Sequence, residues 1–184
     1  GEHSRLWQFD KNGTFIREIG KNYYGFLFAH SVRVDSHDNI WAVDEGANMV
    51  TEFSPDGSKI LMVIGHRPDV TDGAVATPRG PNPPDSNYTL FRPTDVGWDQ
   101  QGNIFIADGY CNNRVVKYSP DGHFLAKVGG NLPGKGNEEF NLPHAVQVDR
   151  QGNVYVADRG NNRYQVFDNN LKFKASYTNV GTAW

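Results

Sequence analysis

The chain has 184 residues, which is the length of one ordinary domain. It carries 18 Lys and Arg against 21 Asp and Glu, a formal net charge of −3. Such a charge offers no basic field for nucleic acid or an anionic membrane surface, so we predict neither as a partner. The 20 Gly, 10 Pro and 12% aromatic residues are typical of short strands joined by many turns.

Targeting and redox signals are sparse. The longest aliphatic run, Ile60–Ile64, is far below the roughly 20 apolar residues of a membrane helix. The N-terminus resembles no signal peptide. A single cysteine, Cys111, excludes an internal disulfide and a CxxC metal or redox centre, and leaves the compartment open.

A repeated pattern runs along the chain. Two clear copies have their second strand end at Asp108 and Asp158, 50 residues apart, and a more diverged copy ends it at Asp44. Each copy reads as four strands, with Asp-Gly turns such as Asp56-Gly57 and Asp121-Gly122 leading into the fourth. Four-stranded units of about 40 to 50 residues are the signature of a β-propeller.

The sequence therefore predicts an all-β propeller with three full four-stranded blades and one outer half-blade, part of a six-bladed ring. The predicted segments are an outer half-blade at 1–20, blades at 23–65, 91–130 and 140–180, and an inserted loop at 66–90. The loop is either a variable insertion or a lid over the central pocket. Because such an arc leaves strands and faces open, we expect that a homodimer could close the ring.

Two histidines occupy equivalent places in their repeats. His30 and His144 each stand 14 residues before the aspartate of their blade, and the blade between them has Thr94 there. Residues at the start of a first strand face the central channel, so the two imidazoles should converge. Histidines on alternate blades of a six-bladed ring would give the three nitrogens of an open zinc site. The alternative is that each histidine is a hydrogen-bonded packing residue.

The turn after the second strand offers two further candidates. Tyr110 and Arg159 follow the aspartates of their blades, on the same rim as the histidines. A phenol can donate or accept a proton, and a guanidinium binds a carboxylate bidentately. Alternatively, Tyr110 packs on a neighbour and Arg159 pairs with an aspartate. The recurring Asp44, Asp108 and Asp158 are assigned to hydrogen bonds within turns.

These blades are similar to NHL repeats over essentially the whole chain. A closer resemblance rests on four strings: Pro93-Thr94-Asp95-Val96, Asp108-Gly109-Tyr110-Cys111-Asn112-Asn113-Arg114, Leu142-Pro143-His144 and Ala157-Asp158-Arg159. They resemble the catalytic domain of the peptidylglycine α-amidating lyases and their bacterial relatives. The resemblance implies a secreted or periplasmic six-bladed propeller with a zinc ion on its axis. Such a lyase cleaves a C-terminal α-hydroxyglycine peptide to a peptide amide and glyoxylate.

The resemblance also implies roles for individual residues. His30 and His144 would be zinc ligands, Tyr110 a catalytic base or proton partner, and Arg159 a clamp on the substrate carboxylate. Zinc would ease deprotonation of the substrate hydroxyl. A structural calcium held partly by backbone near Val32 is implied as well.

The chain departs from the family at several positions. The family's third zinc histidine belongs to a later blade, and its other catalytic arginine would lie just before Gly1. Cys111 matches a family cysteine whose partner position is Phe91 here, so that disulfide cannot form. The resemblance thus implies a lyase-like piece with an incomplete metal site, one that need not be active alone. The alternative function is a non-catalytic NHL propeller that binds a peptide or protein; RNA binding is disfavoured by the charge.

Overall fold

The computed structural model describes residues 4–67 and 86–184. Within these residues the regular structure is β-strand, apart from one 3₁₀ turn at Arg159–Asn161. Most of the predicted loop at 66–90 lies outside the described residues. Both interpretations of this loop, a variable insertion and a lid over the central pocket, therefore stay predictions. No helix in the described ranges has the length and hydropathy needed to cross a membrane.

The strands follow the predicted repeat. In chain order they are β1 Leu6–Phe9, β2 Phe15–Ile19, β3 Ala29–Val34, β4 Ile40–Asp44, β5 Met49–Phe53, β6 Ile60–Gly65, β7 Asp95–Trp98, β8 Ile104–Asp108, β9 Arg114–Tyr118, β10 Phe124–Gly129, β11 Pro143–Val148, β12 Val154–Asp158, β13 Arg163–Phe167 and β14 Phe173–Thr178. Three antiparallel sheets contain four strands each, in the orders β3-β4-β5-β6, β7-β8-β9-β10 and β11-β12-β13-β14. A two-stranded sheet, β1-β2, precedes them. The prediction of three full blades and one half-blade is confirmed.

Hydrophobic layers between neighbouring sheets hold the blades together. The first and second full blades share a core that includes Trp41, Val50 and Ile106. The second and third share another, which includes Phe105 and Val156. The alternating strands supply apolar side chains to both faces of each middle strand, so the sheets stack face to face.

The half-blade covers only part of the first full blade. Its Ile19 packs with Ile40 and Phe53 in a third core. The inner strand β3 stays open on this side, with Val32 45% and Val34 59% exposed. Among the described residues strand β1 pairs with β2 alone, so its other edge has no partner strand there. The homodimer that would cover these groups stays a prediction.

Each full blade has a buried aspartate at the end of its second strand. Asp44 accepts hydrogen bonds from the backbone N–H of Leu27, at 2.8 Å, and of Ala47, at 2.7 Å. The second of these is the predicted turn bond. The first reaches back 17 residues to the segment that enters β3, a contact that the turn assignment did not include.

The other two blades repeat this long-range contact. Asp108 accepts from the backbone N–H of Phe91, and Asp158 from that of Asn141, both at 2.8 Å. Because a buried carboxylate needs several donors, each of these contacts fixes where the first strand of its blade begins.

An arginine completes the aspartate site in two blades. Arg114 Nε lies 3.0 Å from Asp108 Oδ2, and Arg163 Nε lies 2.7 Å from Asp158 Oδ2. In the first full blade the residue that pairs with Asp44 across the sheet is Met49. The buried carboxylate is therefore present in all three full blades, whereas the arginine is present in two of them.

We expect Asp108→Ala to lower the free energy of unfolding by about 3–5 kcal/mol, because it leaves the buried Arg114 guanidinium without its carboxylate. Arg114→Met, which copies the pair of the first blade, should cause a smaller loss, since Asp108 keeps the Phe91 N–H and the Asn112 amide as donors. Urea denaturation measures both variants. Equal losses would contradict the view that the carboxylate is the essential member.

Candidate functional site

The two predicted histidines, His30 and His144, lie at β-bulges in strands β3 and β11. In the pairing of β3 with β4, Ala29 opposes Asp44 and Ser31 opposes Val43, so His30 is the extra residue. The pairing of β11 with β12 skips His144 in the same way. A bulge takes one side chain out of the ladder and redirects it. The structure thus places both histidines at matching irregularities, two blades apart.

Tyr110 stands between the two imidazoles. Its hydroxyl lies 3.3 Å from His30 Nε2 and 3.4 Å from His144 Nε2. The two imidazole centroids are 4.9 Å apart, with their planes inclined at 66°. Three of the four residues predicted from the sequence therefore form one cluster, in which both Nε2 atoms face the same point.

Thr94, at the same register in the intervening blade, orients the cluster. Its carbonyl oxygen lies 2.8 Å from His30 Nδ1. Because a carbonyl only accepts, His30 Nδ1 carries the proton, and in the neutral ring Nε2 keeps its lone pair. The Thr94 hydroxyl lies 2.9 Å from the carbonyl oxygen of Pro143, the neighbour of His144. One residue thus links both histidine-bearing blades.

His144 is uncharged at neutral pH. Burial lowers the pKa of His144 to about 4, and the charges of His30 and Arg159 add to this effect. A positive charge at this point would be poorly solvated and next to other cationic groups. His144 therefore offers an imidazole lone pair rather than an imidazolium N–H group.

The fourth predicted residue, Arg159, lies beside His144 in an unusual environment. Its guanidinium carbon is 3.7 Å from the centroid of the Trp184 ring. In the described part of the chain, the guanidinium makes no hydrogen bond or ion pair. The neighbouring aspartate, Asp158, pairs with Arg163 instead. Among the described residues, Arg159 is therefore not paired with an aspartate.

Two further residues, Trp184 and Glu45, lie near this cluster and were not among those predicted from the sequence. Trp184 lies outside the repeat pattern, and its ring centroid is 5.5 Å from that of His144. Glu45 follows Asp44 in the turn equivalent to that of Tyr110, and its Oε1 lies 3.9 Å from Arg92. Burial raises the pKa of Glu45, while His30 and Arg92 oppose the rise. The equivalence of the three turns is the signal that could have found Glu45.

The residues fit part of a metal site. Among residues 4–67 and 86–184, no group of three or more His, Cys, Asp and Glu could hold a metal ion. His30 and His144 nonetheless present two Nε2 atoms to one point, and a catalytic zinc commonly has three protein ligands. The calcium near Val32 stays a prediction.

The sequence of this chain is similar to those of several known proteins. Residues 140–167 match the family model of the NHL repeat. Over 91% of its length it is 32% identical to peptidyl-α-hydroxyglycine α-amidating lyase 1 of Drosophila melanogaster, covering 30% of that protein. Over 89% of its length it is 34% identical to NHL repeat-containing protein 3 of Homo sapiens, covering 45% of it.

The fold of this chain has solved counterparts. The structure of streptogramin B lyase superposes with a TM-score of 0.62 at 18% identity, over 95% of this chain and 47% of the other. This likeness concerns the fold alone, and it confirms the predicted β-propeller architecture. The chain spans less than half the length of the curated relatives it matches.

Gly109 lets the second and third blades approach each other at this site. A Cβ on Gly109 would lie 1.9 Å from the Pro143 carbonyl oxygen and 3.1 Å from Thr94 Oγ1. The Pro143 carbonyl is backbone and cannot swing aside, so any side chain here must separate the blades. The next residue after Gly109 is Tyr110, and the next after Pro143 is His144.

We expect Gly109→Ala to destabilise the chain by about 1–3 kcal/mol and to shift the NMR signals of the Tyr110 and His144 rings, because the two blades must part. Gly130→Ala is the matched control, since a Cβ there meets nothing within 4 Å. Urea denaturation and aromatic NMR spectra measure the two effects. Unchanged ring signals in Gly109→Ala would refute the claim that close approach sets this geometry.

Proposed function

We propose that this chain contributes to a zinc-dependent lyase-like propeller, which cleaves C-terminal α-hydroxyglycine peptides to a peptide amide and glyoxylate. One observation carries the proposal: two imidazole Nε2 atoms and a tyrosine hydroxyl meet beside a guanidinium that has no acidic partner among the described residues. The similarity to an α-hydroxyglycine α-amidating lyase supports it.

His30 and His144 would hold the metal. The Thr94 carbonyl fixes the His30 tautomer in which Nε2 has a free lone pair for a metal ion. Groups around a metal site commonly orient the metal-bound histidines in this way. His144 needs no deprotonation at neutral pH. When bound, the zinc ion acts as a Lewis acid that makes the substrate hydroxyl more acidic. A third protein ligand would come from another blade.

Arg159 and Tyr110 would act on the substrate directly. The carboxylate of the terminal α-hydroxyglycine would bind the Arg159 guanidinium through paired N–H donors. Loss of the hydroxyl proton, cleavage of the C–N bond and protonation of the amide nitrogen balance without an oxidant or water. The Tyr110 hydroxyl, placed between the imidazoles, would take part in this proton transfer.

We expect the purified chain to bind zinc through these imidazoles. His30→Ala and His144→Ala should each weaken zinc binding by tenfold or more, since each removes a ligand nitrogen. His123→Ala is the control, because His123 lies on the surface and pairs with Asp121. Competition with a chromogenic chelator measures the affinities. Zinc affinity that is equal in all four proteins would contradict a metal site here.

Glyoxylate release from a peptide ending in α-hydroxyglycine tests the chemistry. We expect Tyr110→Phe to lower kcat by about 10²-fold or more, because it removes the proton-transfer group. Arg159→Ala should raise KM, because it removes the carboxylate clamp. Tyr177→Phe is the control, since Tyr177 is 56% exposed on the outer strand β14. Turnover that is unaffected by Tyr110→Phe and Arg159→Ala would refute the roles.

The alternative of a non-catalytic peptide-binding propeller gives a different result in the same assays. Such a protein would bind peptides at the rim, but it would neither take up zinc through His30 and His144 nor release glyoxylate. The two functions are therefore separated by the metal titration before any turnover is measured.

A further inference from the structure

Trp184 connects to the candidate site through two contacts. Its indole ring stacks on the Arg159 guanidinium at 3.7 Å and meets the His144 ring edge-on, with centroids 5.5 Å apart. The residue before it, Ala183, is fully buried and anchors the backbone of this segment. Trp184 as a residue is 63% exposed, so burial of its own apolar surface does not explain its position.

The backbone of Arg159 is fixed, but its side chain has little else to hold it. Asp158 is completely buried, and the Arg159 N–H donates to the carbonyl oxygen of Leu142 at 3.2 Å. Nearby Arg163 shows the usual alternative, with its guanidinium bonded to Asp158 and to three carbonyl oxygens. Within the described residues, the Trp184 ring is the group that restrains the Arg159 guanidinium.

Stacking restrains a guanidinium without occupying its donors. An aromatic ring attracts the cation through its face, and the contact uses the flat face of the guanidinium. The N–H groups point outward from the edge of the guanidinium plane and stay available to an anion. An aspartate partner would have held Arg159 equally well, but it would have competed with an incoming carboxylate.

We propose that Trp184 is a positioning residue: its indole holds the Arg159 guanidinium beside the two imidazoles, ready to bind the carboxylate of the peptide substrate. This inference rests on the proposed function and extends it to a residue outside the repeat pattern. Trp184 acts through Arg159, so its effect should depend on the carboxylate of the ligand and on the presence of Arg159.

Binding of two matched peptides tests the proposal without turnover. The probes are a tripeptide that ends in glycine with a free carboxylate and the same tripeptide as its C-terminal amide, titrated by NMR into the metal-free chain. We expect Trp184→Ala to weaken binding of the acid about tenfold, the cost of ordering a freed side chain, and to leave the amide unchanged. Trp184→Phe should keep most of the affinity, since phenylalanine still offers a ring face.

Two further measurements separate positioning from a general structural role. The Arg159 Nε–H signal should show the ring-current shift of a stacked guanidinium in the wild type and in Trp184→Phe, and lose it in Trp184→Ala. In the Arg159→Ala background, Trp184→Ala should have no further effect on acid binding. Trp7→Ala is the control, because Trp7 is a similarly exposed tryptophan on the half-blade strand β1.

Several results would overturn the proposal. These are equal acid binding by the wild type and Trp184→Ala, an equal loss for the amide, and an equal loss in Trp7→Ala. Failure of the proposed function would look different. The wild type would then take up no zinc and release no glyoxylate, while its preference for the acid and the loss of that preference in Trp184→Ala would persist.

Discussion

The buried aspartate at the end of each second strand is the interaction on which the geometry of the blades depends. Asp44, Asp108 and Asp158 are at most 2% exposed, and each accepts a backbone N–H from 17 residues earlier in the chain. A buried carboxylate tolerates little rearrangement of its donors, so the start of the first strand is set to within one residue. The bulges that carry His30 and His144 lie at that start.

The site depends on contacts between blades more than on any single blade. The Thr94 carbonyl holds His30 of one neighbour, and the Thr94 hydroxyl reaches Pro143 of the other. Because Gly109 has no side chain, the second and third blades approach each other closely at this point. Since side chains from three blades make up one cluster, the spacing of the sheets sets the distances at which chemistry can occur.

Periodic features could be predicted from the sequence and non-periodic ones could not. The repeat predicted the blades, and equal register predicted that His30 and His144 would converge, because register converts directly into position in a stacked sheet. The position of the turn after the second strand predicted that Tyr110 would lie on the same rim. The stack of Trp184 on Arg159 joins two segments with no shared pattern, so no repeat predicts it. The hydrogen bonds from Asp44, Asp108 and Asp158 to the segments before each first strand were not predicted, for a related reason. A turn and such a segment offer the same backbone N–H donors, and only the fold determines which of them the carboxylate meets.

Across the described ranges, each sheet packs only on its neighbours along the chain, so the sheets need not unfold together. The second full blade has a neighbour on each face, and all residues of its strands β8 and β9 are buried. The half-blade and the third blade have a neighbour on one face within the described residues. In such an array stability is a sum of nearest-neighbour terms. Amide protons should therefore exchange more slowly in the first and second full blades, which have a neighbouring sheet on each face, than in the half-blade and the third blade. His30 and Tyr110 would stay in place when the third blade, which bears His144, frays.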